Sequence, residues 1–593
     1  MSLNFEVGPS RPNIGIWALV LLAGATASCA PKTAGPRASD AGSLFSAPTR
    51  PNAVVNGQSV PRPEILMGDP RIIAAIIREG RDQTQVMNQL THLSQKIGPR
   101  LTGSSRVLAA NNWCRDQYAA FGLSNPRLEQ YGTIGVGFDR GPSSGKVLMR
   151  EDKKGDDGAT TSTYTTAREM QFSTLAWAAG TNGPVRGKVV WLPKDEEGYA
   201  AIKDELKGAW VLMEPPPPVG QRGIRSRMGA SYEARKDARE KVAAGEDVSK
   251  LSFAQRVMFD GVAGFISTSR DERVWTGAVP GWRDLTIDRV PPDVHVSVRL
   301  SDYDFLNSRL ADGEPIEVEF DLKHTFNAGP VPIYNTIADI VGSEKPDEYV
   351  IISGHLDTWD GPGSDGTTDN GTGTAVTLEA ARILSRVFAG TGTRPKRTIR
   401  FINWTGEEQG LLGARGYLDQ NKDLWPKISA AFVDDGGTNY QGGIPAASSM
   451  VPMLAAASAY VNGVFYSQTD GKYLDVNIRD TGAKIDTHSS SDHAAFNSVG
   501  IPGFFWDEVG RADYSFTWHT QNDKLSAAIP EYLVQSAVNS ALVAYNLANA
   551  ETLLPRVTPP PPPTPRAPAP AAPTAQPPAS TPATTPAPTP SGG

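Results

Sequence analysis

Residues 349–388 read YVIISGHLDTWDGPGSDGTTDNGTGTAVTLEAARILSRVF, and this stretch decides the fold class. Its first five residues resemble a buried strand, and from Thr372 to Phe388 the apolar residues recur with a period of about 3.6, which is typical of a helix. Similar segments follow, with strand-like runs at 398–404, 430–433 and 502–506 and a closing helical run at 532–549. Alternating strands and helices predict an α/β domain with a largely parallel sheet.

A different pattern lies upstream of this domain. Residues 165–325 hold short β-type runs and a charged helical stretch from Tyr232 to Phe259, without a cluster of His, Cys or acidic residues at ligand spacing. We therefore expect an insert that divides the α/β domain. The predicted organisation is a signal peptide at 1–28, a linker at 29–67, the first part of the α/β domain at 68–160, a β-rich insert at 161–328, the main part at 329–552 and a disordered Pro/Ala/Thr-rich tail at 553–593.

The N-terminus has the pattern of an export signal. Arg11 precedes an apolar run, 13–28, that is closed by small residues and is short for a membrane span. Cys29 follows Thr-Ala-Ser, which resembles a bacterial lipobox, so lipid on Cys29 would tether the protein to a membrane; ordinary cleavage after Ala27 is the alternative. Both readings predict an exported protein, either periplasmic, held at the outer membrane as a lipoprotein, or secreted.

Composition excludes several classes of protein. Two Cys in 593 residues exclude a disulfide-stapled scaffold, and a net charge of −7 gives no global footprint for nucleic acid. Cys114 lies at helical spacing among apolar residues, which favours a small buried hydrophobe. His295 and His324 are isolated and are predicted to be structural.

The residues suited to chemistry follow the predicted strands, where active sites of parallel α/β sheets lie. They are His355 and Asp357 after the strand at 349–353, Asp369 before the helix at 372, Glu407 and Glu408 after 398–404, Asp434 and Asp435 after 430–433, and His519 after 502–506. A mixture of imidazoles and carboxylates suits zinc, whereas an all-oxygen set would suit calcium or magnesium.

The number of candidate ligands predicts two metal ions. One zinc needs only three protein ligands. The five candidates His355, Asp369, Glu408, Asp435 and His519 fit two ions if one carboxylate bridges them, and Asp369 is central in the set. Glu407, beside Glu408, is the candidate general base, and Asp357 is placed to hold the second nitrogen of the His355 imidazole.

Four motifs carry a resemblance to a known family. They are GHLDTWD at 354–360, WTGEEQG at 404–410, SDHAAF at 491–496 and HTQND at 519–523. Together they resemble the co-catalytic zinc exopeptidases, most closely the branch of plasma glutamate carboxypeptidase (carboxypeptidase Q), with bacterial zinc aminopeptidases sharing the core. The similarity extends over most of 68–552.

The resemblance implies a three-layer zinc-exopeptidase domain interrupted by a protease-associated-like insert, small peptide substrates and a possible dimer. It also implies one zinc on His355, Asp369 and Asp435 and a second on Asp369, Glu408 and His519, with Glu407 as base and Asp357 supporting His355. Asp434 competes with Asp435 as a ligand, and the Gly-Gly that follows Asp435, as in the turn of the family, favours Asp435.

The sequence departs from the family at two places. The loop from Asp360 to Asp369 is slightly longer, and Trp518 stands where some relatives carry a Tyr that could bind the oxyanion, so the electrophilic donor is unassigned. His488 and His493 are placed to line a substrate pocket and are not assigned as ligands.

The leading hypothesis is therefore an exported two-zinc metallo-exopeptidase that hydrolyses terminal bonds of dipeptides or short peptides through attack by metal-bound hydroxide. Aminopeptidase, carboxypeptidase and dipeptidase activities all remain open. One alternative is a non-catalytic binding protein on the same fold, which should have lost ligands or the base, whereas all six positions are retained here. The other is a one-zinc acyltransferase of the glutaminyl-cyclase type, which two metals per chain would exclude.

Overall fold

The computed structural model describes residues 52–215, 222–483 and 490–557, with the backbone alone for 222–228. The predicted signal peptide, Cys29, His488 and the Pro-rich tail from residue 558 lie outside these ranges. Within them, no helix combines the length and the apolar character that a bilayer crossing requires.

From residue 52 to the insert, the chain supplies three α-helices, two short strands and one very long strand. These elements are β1 (Asn52–Val55), β2 (Gln58–Pro61), α1 (Pro70–Asp82), α2 (Val86–Thr91), α3 (Ser105–Ala120) and β3 (Ser124–Lys154). Helix α1 begins after Asp69, whose side chain accepts a hydrogen bond from the Arg71 amide, and α3 begins after Ser104, which caps the Val107 amide. Cys114 is buried in α3, as its spacing predicts.

The insert combines strands and helices. Its elements are β4 (Thr160–Glu169), β5 (Phe172–Ser173), β6 (Val185–Trp191), α4 (Glu196–Ile202), β7 (Trp210–Leu212), α5 (Arg222–Ala243), α6 (Phe253–Arg256), β8 (Gly264–Thr268), β9 (His295–Val298) and α7 (Leu300–Ala311). Strands β6 to β9 pair in parallel in chain order, and β5 is antiparallel to β9. The domain boundaries and the protease-associated character of the insert stay predictions.

The main part of the α/β domain follows the insert. Its elements are β10 (Glu317–Ile340), β11 (Lys345–His355), α8 (Gly371–Thr391), β12 (Arg397–Trp404), α9 (Leu412–Gln420), β13 (Ile428–Val433), β14 (Tyr440–Ala446), α10 (Val451–Ser458), β15 (Tyr466–Ser467), β16 (Lys472–Tyr473), β17 (Asn477–Asp480), α11 (His493–Ser498), β18 (Gly503–Phe505), β19 (Asp507–Val509), α12 (Tyr514–Thr517) and α13 (Pro530–Asn549).

The main sheet has the order β18-β13-β11-β12-β10. Strands β18, β13, β11 and β12 run parallel, and β10 is antiparallel to β12. The register pairs His355 with Trp404 and Ser353 with Val433, so the carboxyl ends of these strands lie side by side. The prediction of an α/β domain with a mostly parallel sheet is confirmed, and the register brings the segments after each strand to one edge.

Helices cover both faces of this sheet. Val350 and Ile352 of β11 belong to a core cluster that contains residues of α8 and α13, whereas Ile351 packs in a second cluster with Tyr417 of α9 and Phe496 of α11. Successive side chains of a strand point to opposite faces, so the alternation along β11 defines a sheet between two helical layers. This arrangement is the predicted three-layer domain.

Strand β10 connects the main sheet with the insert. Its residues 317–320 pair with 185–188 of β6, and its residues 336–340 pair with 399–403 of β12. Strand β3 runs antiparallel along most of β10. The sheet of the insert is therefore joined to the main sheet by hydrogen-bonded strands rather than by a loop alone.

Candidate metal centre

The first group of candidate ligands comes from the edge of the main sheet. His355 is the last residue of β11, Asp435 follows β13, and Asp369 lies just before α8. His355 Nε2 is 2.9 Å from Asp435 Oδ1 and 3.4 Å from Asp369 Oδ1, and all three residues are buried. One ligand atom of each lies within 4.8 Å of the others, a spacing that could hold a metal ion.

The second group shares Asp369 with the first. His519 Nε2 is 2.9 Å from Asp369 Oδ2 and 2.9 Å from Glu408 Oε2. These three residues form the other set whose ligand atoms lie within 4.8 Å of one another. One oxygen of Asp369 therefore faces each histidine, which is the geometry that a bridging carboxylate requires.

The local chemistry fits cations at both positions. Asp369 Oδ2 is buried and accepts no hydrogen bond, although it lies 2.9 Å from a ring nitrogen. Burial acts to raise the pKa of Asp369, but the imidazoles of His519 and His355 outweigh it and lower that pKa. Several buried carboxylates beside only two imidazoles leave an excess of negative charge, which a divalent ion would offset. Two nitrogen and three carboxylate donors suit zinc.

Hydrogen bonds hold the backbone around the shared ligand. Asn370 caps α8 by accepting from the Gly373 amide and donates from Nδ2 to the Asp434 carbonyl oxygen. Asp523 Oδ1 accepts from the amides of Thr367 and Thr368 at 3.0 and 2.5 Å. Asp523 lies in the HTQND motif, and these bonds give it a positioning role that strand-end reasoning alone does not reveal.

The structure separates Asp434 from Asp435. Asp435 contacts His355, whereas Asp434 Oδ2 accepts a hydrogen bond from Gln441 Nε2 at 2.5 Å. Burial raises the pKa of Asp434 to about 6, and hydrogen bonds from Gln441 and Glu508 oppose that rise. Asp434 therefore belongs to a buried hydrogen-bond network behind the site, and Asp435 is the residue that faces the candidate ligands.

Asp357 contacts His355 differently from the prediction. The Nδ1 atom of His355 lies 2.9 Å from the backbone carbonyl oxygen of Asp357, while the nearest Asp357 carboxylate oxygen is 3.6 Å away. That carboxylate instead accepts from Thr102 Oγ1 at 2.9 Å and from the Glu407 amide at 3.3 Å. The second nitrogen of His355 is thus oriented by main chain, and the Asp357 side chain positions the backbone of Glu407.

Thr102 completes this contact. Its hydroxyl donates to Asp357 and accepts from the Gly406 amide at 2.9 Å, and the residue is fully buried. It lies 255 residues before Asp357 in the chain, so the sequence offered only its place in the turn before α3 as a signal.

Glu407 lies beside the first ligand group. Its Oε2 is 3.9 Å from His355 Nε2. Burial raises the pKa of the Glu407 carboxyl well above its usual range, with the charge of His355 opposing the rise. A carboxylate beside the first candidate metal position, and outside both ligand groups, is placed to accept a proton.

Asp492 and Tyr514 lie close to the same ligands but were not predicted as site residues. Asp492 is fully buried, neither of its oxygens accepts a hydrogen bond, and burial raises its pKa well above the usual range. The Tyr514 ring packs on the Gly437 turn after Asp435 and lies near Asp369 and Asp435, and burial raises its pKa. The ring of Trp518, at the position where some relatives carry Tyr, stacks on the ring of His519 with 3.9 Å between the ring centroids.

The other predicted histidines have protein partners. His295 contacts Ser267 and Arg235, and His324 contacts Arg140 and the Ala178 carbonyl oxygen, which agrees with structural roles. His493 is buried at the start of α11 and packs against Phe505.

Comparison with known proteins finds relatives of this chain. Residues 335–544 match the model of Peptidase family M28. Carboxypeptidase Q of Xenopus laevis is 28% identical over 282 residues, 46% of this chain and 54% of that protein, and carboxypeptidase Q of Mus musculus is 24% identical over 489 residues, 80% and 88%. The chain thus spans about half the length of the frog protein that it matches. The predicted kinship with co-catalytic zinc exopeptidases is confirmed.

A solved structure supports the fold. The structure of a peptidase M28 precursor from Shewanella amazonensis aligns with a TM-score of 0.53 and 20% identity, covering 82% of this chain and 98% of that one. The aligned coverage includes far more than the residues matched by the family model. It agrees with the three-layer α/β architecture described above.

Proposed function

We propose that this chain, as a relative of Peptidase family M28, is an exported exopeptidase that binds two zinc ions and hydrolyses a terminal peptide bond of dipeptides or short peptides. One observation carries the proposal: two ligand groups, His355-Asp369-Asp435 and Asp369-Glu408-His519, share a single buried carboxylate. A shared carboxylate is what a pair of ions about 3.5–4 Å apart requires.

When bound, two zinc ions would polarise the scissile carbonyl and favour ionisation of the attacking water. The residues of the chain then have separate tasks. Asp369 holds both positions in register, because each of its oxygens faces a different histidine. Glu407 accepts the proton of the attacking water at its carboxylate and passes it to the nitrogen of the leaving amine.

The surroundings of Glu407 support this role. The Glu407 amide donates to Asp357, and Thr102 ties Asp357 to the Gly406 amide, so the backbone of the base is held from two sides. Tyr514, whose ring packs on the Gly437 turn after Asp435, is the candidate hydroxyl donor to the developing oxyanion, whereas Trp518 has no hydroxyl. Export rests on the sequence pattern at 13–28.

The test combines metal analysis with a substrate panel. The purified chain is stripped with chelator, reloaded with zinc and assayed on free, N-blocked and C-blocked dipeptides. We expect two zinc ions per chain, loss of hydrolysis on stripping and its return on reloading. Equal rates before and after stripping would overturn the metallopeptidase assignment, and a single zinc at full activity would overturn the two-ion centre.

The blocked substrates resolve the specificity. Cleavage that requires a free amino group identifies an aminopeptidase, cleavage that requires a free carboxyl group identifies a carboxypeptidase, and a requirement for both identifies a dipeptidase. Binding of these peptides without turnover in the zinc-loaded chain would instead support a non-catalytic binding protein.

A further inference from the structure

A loop of the insert, residues 272–276, lies against the segment that carries the candidate ligand His519. Trp275 and Thr520 form an antiparallel β-bridge. The Thr276 amide donates to the His519 carbonyl oxygen at 3.1 Å, and the Thr276 hydroxyl lies 3.4 Å from the same oxygen. The backbone of a candidate metal ligand is therefore hydrogen-bonded directly to the insert.

Gln521 attaches the same two segments through its side chain. Its Oε1 accepts from the Val274 amide at 2.9 Å, and its Nε2 donates to the Glu272 carbonyl oxygen at 2.9 Å. Arg273 adds a bond from Nη1 to the Ser515 carbonyl oxygen at 3.0 Å. The loop therefore contacts the chain on both sides of His519.

His519 needs such support because its backbone is in an unfavourable conformation. Its φ is +59°, in the left-handed region that a residue with a Cβ rarely adopts. Such conformations persist where surrounding contacts hold them. The corresponding histidine of the other group, His355, lies at the end of the regular strand β11 and has its carbonyl oxygen bonded to Thr374 of α8 at 2.7 Å.

We propose that the insert loop 272–276 is a positioning element of the metal centre, which fixes the backbone of His519 and so sets the affinity of the Asp369-Glu408-His519 group for its ion. The inference rests on the proposed two-zinc function. It assigns the insert a share in building the centre, whereas His355 and Asp435 lie at the ends of paired strands of the main sheet and Asp369 lies at the start of α8. Loosening this loop should therefore weaken one of the two ions and spare the other.

Partners outside the ligand set orient metal ligands, and their loss typically costs about 10–100-fold in metal affinity or activity. Gln521→Leu removes both side-chain hydrogen bonds to the loop and keeps a side chain of similar size. We expect the affinity of one zinc to fall by about 10–100-fold, while the affinity of the other stays within about threefold of the wild-type value.

The experiment is a zinc titration of the full-length chain in competition with a chelator of known affinity, with His519→Ala as the reference for loss of that ligand group. Gln420→Leu is the matched control, because Gln420 donates one hydrogen bond to the Gln130 carbonyl oxygen at 3.1 Å on the exposed surface and contacts no candidate ligand. Two affinities equal to wild type are expected for this control.

Thr276→Val is the milder variant, since it removes only the hydroxyl near the His519 carbonyl oxygen and keeps the amide bond. We expect it to weaken the same single zinc by less than Gln521→Leu does. Unchanged affinities in both variants would overturn the role of the loop and leave the two-zinc function intact. A wild-type chain that binds only one zinc would overturn the proposed function, and this inference with it.

Discussion

The two ligand groups of the metal centre differ in how the chain builds them. The His355 group uses the ends of β11 and β13 and the start of α8, so regular hydrogen-bonded elements place its three side chains. The His519 group takes its histidine from a segment after the short helix α12, with a left-handed backbone that contacts the insert. One half of the centre follows from the sheet, and the other depends on contacts between distant parts of the chain.

The two ligand groups are positioned by different kinds of contact. Parallel strands in register bring their carboxyl ends together whatever lies beyond them, so His355 and Asp435 meet through backbone pairing. No such pairing within the main sheet fixes His519. The bridge to Trp275 and the bonds of Gln521 hold its segment from the insert, and the bonds of Asp523 to the Thr367 and Thr368 amides hold it from the segment before α8.

The largest expected effect is at the residue that joins the two groups. Asp369→Ala removes one ligand from each group, so we expect both zinc ions to be lost and hydrolysis to fall below detection. The measurement is zinc content after dialysis, together with peptide turnover. Asp434→Asn is the control, since Asp434 is bonded to Gln441 away from the ligands, and it should keep both ions. Retention of two ions by Asp369→Ala would show that the groups do not share this carboxylate.

The next effect separates chemistry from metal binding. Glu407→Gln keeps the size of the side chain but removes its capacity to accept a proton, so we expect kcat to fall by about 10²–10⁴-fold. Zinc content should stay at two per chain, because Glu407 belongs to neither ligand group. Steady-state kinetics beside metal analysis checks both parts. Activity within a factor of two of wild type would remove Glu407 from the role of base.

The sequence predicts the two ligand groups to different extents. The strand patterns predicted the sheet and the place of His355, Asp369 and Asp435, because the period of apolar residues is a local property. The three layers were implied only by the family resemblance. The structure brings all five predicted ligands together. The contacts that hold His519 join residues 243 positions apart, and nothing local in either segment encodes them.

Asp357 shows the same limit within the sheet side. Its position two residues after His355 predicted a bond to the imidazole, but its carbonyl oxygen makes that contact, and its carboxylate turns toward Thr102 and Glu407. Sequence spacing gives proximity and cannot decide whether the main chain or the side chain provides the bond.

The contact between the insert and the loop after His355 should make the stability of the fold sensitive to acid. His324 lies 3.2 Å from Arg140, which in turn pairs with Asp360 in the loop after His355, and burial lowers the pKa of His324 to about 3. The unfolded chain takes up this proton near pH 6.5, so the folded state loses stability as pH falls from 6.5 towards 3. Gln521 and Thr276, which join loop 272–276 to the His519 segment, have no titratable side chain.

His324→Gln removes this titration. Relative to the variant, the wild-type free energy of unfolding should fall by about 2 kcal/mol more between pH 8 and pH 5. Denaturant unfolding at the two pH values measures the free energy of unfolding of each chain. Subtracting the variant from the wild type cancels the titration of all groups that the two chains share. Parallel pH profiles for the two chains would mean that His324 keeps an ordinary pKa in the folded protein.

The smallest expected effect tests whether the ends of the main-sheet strands are enough to place His355 and Glu407. Thr102→Val removes the hydroxyl that links Asp357 to the Gly406 amide, so the backbone of Glu407 loses one of its two supports. We expect kcat to fall by about tenfold, with KM and zinc content nearly unchanged. An unpaired buried amide should also lower the free energy of unfolding by about 1–3 kcal/mol.

A second buried threonine separates the two effects. Thr336 donates to Asn111 Oδ1 at 2.8 Å, and Thr336→Val should cost similar stability without changing kcat. Equal kcat values for Thr102→Val and Thr336→Val would show that the ends of the strands place Glu407 without help from Thr102. A selective loss in Thr102→Val would instead show that the sheet side also depends on a contact with a distant part of the chain, because Thr102 comes from the segment before the insert. The two halves would then differ in how many long-range contacts they need and would no longer differ in kind.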